Sequence, residues 1–338
     1  MKRLNFRLLL SPGLFLTGLL ATTAVSAQPR VPVTLPAYGE GQYVHVVPSL
    51  DELAASSSLH PQLRARILRG RELFNDTQQL RGVNVYNDMN CSSCHLGSGG
   101  LNWSGPVWPA ATTLPDFRGK NQRVNTLEDR IADCFVYSMN GQPPASGSED
   151  MLALLAWHQW LAKGAAMYDS NIAGRGYSHL GNAMPELTSR ERGATLYSEQ
   201  CALCHGGDGN GRQQDGAMVF PAVWGDNSWN WGAGMSRVPA LASFIHNNMP
   251  LGKPGSLAAQ DAWDLALFIN SQERPQDPRY TGDAVATRAL YNDFHALTQY
   301  GLEVDGRILG QHDNTGAKPF LRPDNLTLRQ PAVAEQGK

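Results

Sequence analysis

The sequence predicts a mainly α-helical protein made of two similar units in tandem, with an N-terminal arm and an irregular C-terminal tail. Three observations lead there. Residues 61–75 and 149–161 have helical periodicity and bulky apolar faces, and they bracket the motif Cys91-Ser-Ser-Cys94-His95. The same order returns in 187–200, Cys201-Ala-Leu-Cys204-His205 and 257–271, a repeat weak in identity but clear in sequence of parts. Alternating, β-branched strand patterns are scarce throughout.

Taken in order, the first 27 residues have a basic start at Lys2, Arg3 and Arg7, a short apolar run, and Val25-Ser26-Ala27 as a small-residue cleavage site. This reads as a signal peptide cut near Ala27, hence export to a bacterial periplasm. No later stretch is long and apolar enough to span a bilayer, so no membrane association is expected after cleavage. The formal net charge is −2, and no basic run suggests nucleic acid. The expected division is a signal peptide over 1–27, an arm over 28–49, a first domain over 50–165, a linker over 166–184, a second domain over 185–275 and an extension over 276–338. In the extension only 283–297 suggests a short helix, and the last dozen residues look disordered.

Cys-x-x-Cys-His reads as covalent c-type haem attachment. Two thioether bonds per haem consume Cys91, Cys94, Cys201 and Cys204, with His95 and His205 as proximal iron ligands. Each unit then resembles a class I-like cytochrome c domain. In 61–75, Leu63, Ile67, Gly70, Leu73 and Phe74 share the face that would cross 149–161; Gly193 and Tyr197 hold the matching places in the second unit.

Five cysteines less four leaves Cys134 without a disulfide partner in an oxidising compartment. It lies in 126–141, where Thr126 and Asp129 suggest a capping-box start and Gly141 a stop. Leu127, Ile131, Cys134, Phe135 and Ser138 share one stripe of that helix, with Met139 toward its edge. Cys134 follows His95 by 39 residues, and Met249, held before Pro250 in an extended loop, follows His205 by 44. Both fall where a sixth iron ligand is needed. Met139 and His246 are the rival ligands, and a buried structural thiol is the bland reading of Cys134. Thiolate ligation would give a low-potential haem beside a higher-potential His/Met one. Arg118, Lys120, Arg123 and Arg130 cluster ahead of Cys134; singly each suits a solvated face, together they suggest an anion pocket.

The segments RIADCFVYSMNG, CSSCHLGSGG, FPAVWGDNSWNWGAGMSR and FIHNNMPLGKPGSL together resemble the tetrathionate-forming thiosulfate dehydrogenase family of periplasmic dihaem cytochromes c, over about residues 60–275. The resemblance implies His95 and Cys134 on the first haem and His205 and Met249 on the second. Some family members exchange that Met for a Lys; position 248 is Asn here, so no such exchange is expected. It also implies that Cys134, with Ser138 and the cationic residues, couples two thiosulfates to tetrathionate. Electrons would leave through the second haem to a small soluble acceptor protein. Three other readings remain at this stage: a non-catalytic dihaem shuttle, a dihaem peroxidase, and the haem subunit of a sulfur-oxidation complex.

Overall fold

The computed structural model describes residues 39–312. The signal peptide, the first half of the arm and the end of the extension lie outside the described residues. Helices appear where periodicity and end signals agree. Pro61–Asn75 (α2, after a short α1 at Leu50–Ala55) starts with Pro at its first position, and His60 accepts from the Gln62 amide at 3.3 Å. After α3 (Trp108–Thr113) comes α4, Leu127–Tyr137, closed by the expected box: Thr126 Oγ1 accepts from the Asp129 amide at 3.1 Å, and Asp129 returns the contact to the Thr126 amide at 2.8 Å. Glu149–Leu161 (α5) is capped by Ser148, and Arg190–Gln200 (α6) by Ser189.

The two units are built on one crossing. Helix α2 packs against α5; α6 packs against α9 (Ala259–Asn270), which also carries α8 (Val238–Asn248) beyond the short α7 (Ala202–His205). Glycine lets each pair close. A Cβ on Gly70 would lie 1.9 Å from the Ala153 carbonyl oxygen, and one on Gly193 would lie 2.1 Å from that of Asp264. The weak sequence repeat is thus a repeated backbone contact. Ile67, Gly70, Leu73 and Phe74 are buried as expected, but Leu63 is 43% exposed because it lies beyond the crossing.

Other differences are local. Helix α4 ends at Tyr137 rather than near Gly141. Gly141 is required for another reason: a Cβ there would sit 1.9 Å from the Asn84 carbonyl oxygen. His246, Asn247 and Asn248 belong to α8, and only Met249 at its end is extended. The arm contributes β1 (Tyr43–Val44), paired in parallel with a linker strand, Ile172–Ala173; three other two-stranded pairings complete the strands among the described residues. Within the extension, residues 276–312 are ordered. Ala284–Leu290 (α10), Asn292–His295 (α11) and a hairpin fold back so that Tyr300 stacks on Trp231 at 5.3 Å. Buried Asp277 pairs with Arg279 at 2.6 Å and with His295 at 3.0 Å beneath them.

Candidate active site

None of the five cysteines forms a disulfide among the described residues, and each Cys-x-x-Cys-His opens onto its own cavity. In the first, Cys91, Cys94 and His95 face an apolar crevice closed by Phe74, Ile131 and Phe135. His95 Nδ1 donates to the Gly105 carbonyl at 2.5 Å, which leaves Nε2 for a metal. In the second, Cys201, Cys204 and His205 face a crevice that also holds Met249. His205 Nδ1 is likewise committed, to the Pro221 carbonyl at 2.8 Å. A thiol pair, an imidazole with one nitrogen fixed and an apolar wall form a donor set that fits c-haem in both places. Met89, Asn90 and Cys94 line both crevices, so the two haem sites share a wall. A further contact joins the units beside it: Ser104 Oγ donates to Asn248 Oδ1 at 2.5 Å, next to Gly105 on one side and Met249 on the other.

Cys134 lines the first crevice within hydrogen-bonding reach of His95. Burial raises the thiols of Cys91 and Cys94 to about 12. Burial opposes ionisation of Cys134 too, but Arg130 and then His95 outweigh it and hold this thiol at about 7. The Arg130 guanidinium is 3.2 Å from Cys134 Sγ, one helical turn away on α4. Three cysteines share one crevice, and Cys134 has a guanidinium within hydrogen-bonding distance of its sulfur. The guanidinium beside Cys134 suits that sulfur to act as thiolate.

The outer end of the crevice opens into a polar cavity. Cys134, Ser138 and His95 form its floor, and Arg118, Lys120, Arg130 and Arg237 line it. The cations differ in state. Arg118 is spent on buried Asp133 at 3.1 Å. Lys120 Nζ donates to the Gly232 carbonyl at 2.7 Å and lies 3.3 Å from the Tyr137 ring centre; burial, then Arg279, lower its pKa well below the ordinary lysine value. Asp293, which accepts from Gln122, supplies a second carboxylate at the lining.

A sequence profile described as "SoxA/TsdA, cytochrome c domain" matches residues 69–167, and one described as "Cytochrome C oxidase, cbb3-type, subunit III" matches 188–269. The chain is 44% identical over 252 residues to a thiosulfate dehydrogenase of Stutzerimonas stutzeri, covering 72% of this chain and 80% of that protein. It is 42% identical over 241 residues to one of Thiomonas intermedia, covering 71% and 76%. The chain belongs to the thiosulfate dehydrogenase family. A solved thiosulfate dehydrogenase (TsdBA) of Marichromatium purpuratum superposes with a TM-score of 0.72 at 43% identity, over 79% of this chain and 57% of that one. Membership in the thiosulfate dehydrogenase family, with two tandem cytochrome c domains, means two covalently bound c-type haems.

Of the residues singled out from sequence, Cys91, Cys94, His95, Cys134 and Ser138 meet in one crevice, and Cys201, Cys204, His205 and Met249 in the other. Arg118, Lys120 and Arg130 reach the polar cavity. Arg123 does not line it; it pairs with Asp129 at 2.8 Å in the first turn of α4. Of the rival ligands, Met139 does line the first crevice, whereas His246 hydrogen-bonds the Leu257 carbonyl at 3.0 Å and does not line the second. His158 and Arg237 were missed. His158 lines the first crevice, buried on α5, and burial lowers its pKa to about 4. A helix-periodicity count flags its face but not its chemistry. Arg237 lies 103 residues beyond Cys134, and no local pattern links them.

Proposed function

We propose that this protein couples two thiosulfates to tetrathionate at Cys134. One observation carries the reading: the Cys134 thiol faces the first haem crevice beside His95 and also forms the floor of the cationic cavity. On this reading His95 and Cys134 ligate the first iron, and His205 and Met249 the second. Each haem, when bound, supplies a one-electron acceptor, and the coupling releases two electrons.

The chain's own groups then have defined tasks. Arg130 keeps Cys134 ionised and, with Ser138, binds the sulfonate of the first thiosulfate, while Lys120 stays on the Gly232 carbonyl and adds no direct contact. Cys134, released from the metal for this step, forms a bond from Sγ to the sulfane sulfur as two electrons pass to the one-electron acceptors that the bound haems would supply, giving a Cys134 Sγ–S–SO3 adduct. The sulfane sulfur of a second thiosulfate attacks the adduct's sulfane sulfur. That S–S bond forms as the bond to Cys134 breaks, so tetrathionate departs and Cys134 keeps the electron pair as thiolate. Holding two dianions together demands fixed cations, and positioning of this kind contributes several kcal/mol. Met89, Asn90 and Cys94, the wall shared by both crevices, would lie between the two haems, and the second haem would supply the route to a small soluble acceptor protein. No helix among the described residues is long and apolar enough to cross a membrane, which fits a periplasmic site of action after signal cleavage.

Cys134→Ala is the test. Thiosulfate-dependent ferricyanide reduction should vanish while both haems remain covalently attached. Near-normal turnover in that variant would end the covalent scheme and leave a two-centre electron carrier.

A further inference from the structure

Coupling two thiosulfates requires two anion subsites, because the sulfonates of tetrathionate lie at opposite ends of a four-sulfur chain. The first subsite lies at Arg130, against Cys134. The second must come from another cation of the same cavity. Arg118 is neutralised by Asp133, and Lys120 is tied to the Gly232 carbonyl between the rings of Tyr137 and Phe294. Arg237 differs from both. Among the described residues its guanidinium makes no ion pair and no hydrogen bond, and its Nε is buried without a partner.

Its backbone position reinforces the point. Arg237 is the N-cap of α8, an eleven-residue helix, and gives it no side-chain cap, whereas Thr126, Ser148 and Ser189 cap α4, α5 and α6. A cation at the positive end of a helix breaks both the capping preference and the dipole rule. Such a local violation is expected where function outweighs stability. An oxyanion at this place would answer both charges. Gly234, Met235 and Ala240, around the same helix start, also line the cavity, so the second domain forms one wall of it while the first supplies Cys134 and Arg130.

We propose that Arg237 binds the sulfonate of the second thiosulfate, the one that attacks the Cys134 adduct. This rests on the thiosulfate-coupling reading and adds a division of labour: the first domain binds and activates the first substrate, and the second domain delivers the other. The step is a sulfur-to-sulfur displacement with no net redox change, so Arg237 affects it by orientation and by lowering dianion repulsion. It has no part in the preceding two-electron step.

The test uses the holoenzyme as Arg237→Gln and Arg237→Lys, with two readouts. In the first, oxidised enzyme is mixed with low thiosulfate and haem reduction is followed; Arg237→Gln should keep the parent rate within about twofold. In the second, steady-state turnover with ferricyanide is measured against thiosulfate; the half-saturating concentration should rise roughly ten- to hundredfold in Arg237→Gln, the loss expected for one charged hydrogen-bonding partner, and recover in part in Arg237→Lys. Unchanged half-saturation in Arg237→Gln overturns the proposal. So does a loss accompanied by slowed haem reduction or a shifted midpoint potential of the first haem, which would make Arg237 a partner of the haem instead. Should thiosulfate fail to reduce the haems of the parent enzyme, the coupling reading itself falls, an outcome separate from either result on Arg237.

Discussion

Gly70→Ala tests whether the haem crevice depends on the helix crossing. The added Cβ would lie 1.9 Å from the Ala153 carbonyl oxygen and 2.9 Å from Trp157 Cβ, where ordinary contact begins at 3.4 Å. The obstacle is backbone, so no rotamer relieves it, and α2 and α5 must separate. Overpacking typically costs about 1–3 kcal/mol and sometimes more, and a fixed carbonyl puts this case at the upper end. Alanine's better helix propensity returns up to about 1 kcal/mol. A net loss of about 2–3 kcal/mol remains, or a Tm lowered by about 3–5 °C for a chain of this size. Thermal unfolding of the haem-loaded protein by far-UV circular dichroism measures it. Gly207→Ala is the control: nothing lies within 4 Å of its Cβ position, and no change beyond about 0.5 kcal/mol is expected. The perturbation should also reach function, since Phe74 lies one turn beyond Gly70 and lines the first crevice. A Gly70→Ala protein as stable as its parent would refute the close crossing and the alignment of the crevice built on it.

Arg130→Gln should move the acid limb of the pH–rate profile. In the parent the Cys134 thiolate is present above about pH 7 and lost as pH falls through it; without the guanidinium burial dominates and the thiol returns toward or above its ordinary 9.0. Activity at pH 7 should therefore fall by about tenfold or more and recover on raising pH, as kcat/KM against pH would show. Met249→Ala should lower the midpoint potential of the second haem and slow electron delivery to an external acceptor, while thiosulfate still reduces the first; redox titration and rapid mixing check both. Asp277→Asn leaves Arg279 buried without its carboxylate and should cost about 3–5 kcal/mol in denaturant unfolding. Burial opposes ionisation of Asp277, but Arg279 and His295 overcome it and hold its pKa below the usual carboxylate range, so its contribution is present above about pH 4 and lost only in stronger acid.

What could be read from sequence was what repeats locally. Periodicity and a starting proline gave α2 residue for residue, and the Thr126–Asp129 box gave the start of α4 and hence the face bearing Cys134. The cationic cavity was legible only on its first-domain side. Arg118, Lys120, Arg123 and Arg130 are neighbours in sequence, yet a hairpin between Asp116–Arg118 and Arg123–Asn125 turns Arg123 toward Asp129 while Lys120 points inward. The opposite wall comes from Tyr177, Arg237 and Phe294, which only long-range packing brings together. The extension was obscure for the same reason. Its anchors, Trp231 with Tyr300 and Asp277 with His295, are pairings of distant residues that carry no periodic signature.

The hydrogen bond from Ser104 to Asn248 bears on how such a protein could be rebuilt. Gly105 steadies the imidazole of one centre, and its neighbour Ser104 clasps the residue preceding the thioether of the other. The halves are therefore geared together beside the residues that line their two crevices rather than strung on a tether. A chimera that exchanged either half for a free-standing cytochrome would forfeit this clasp and the facing wall of the cavity alike, so grafting must carry the seam along with the modules.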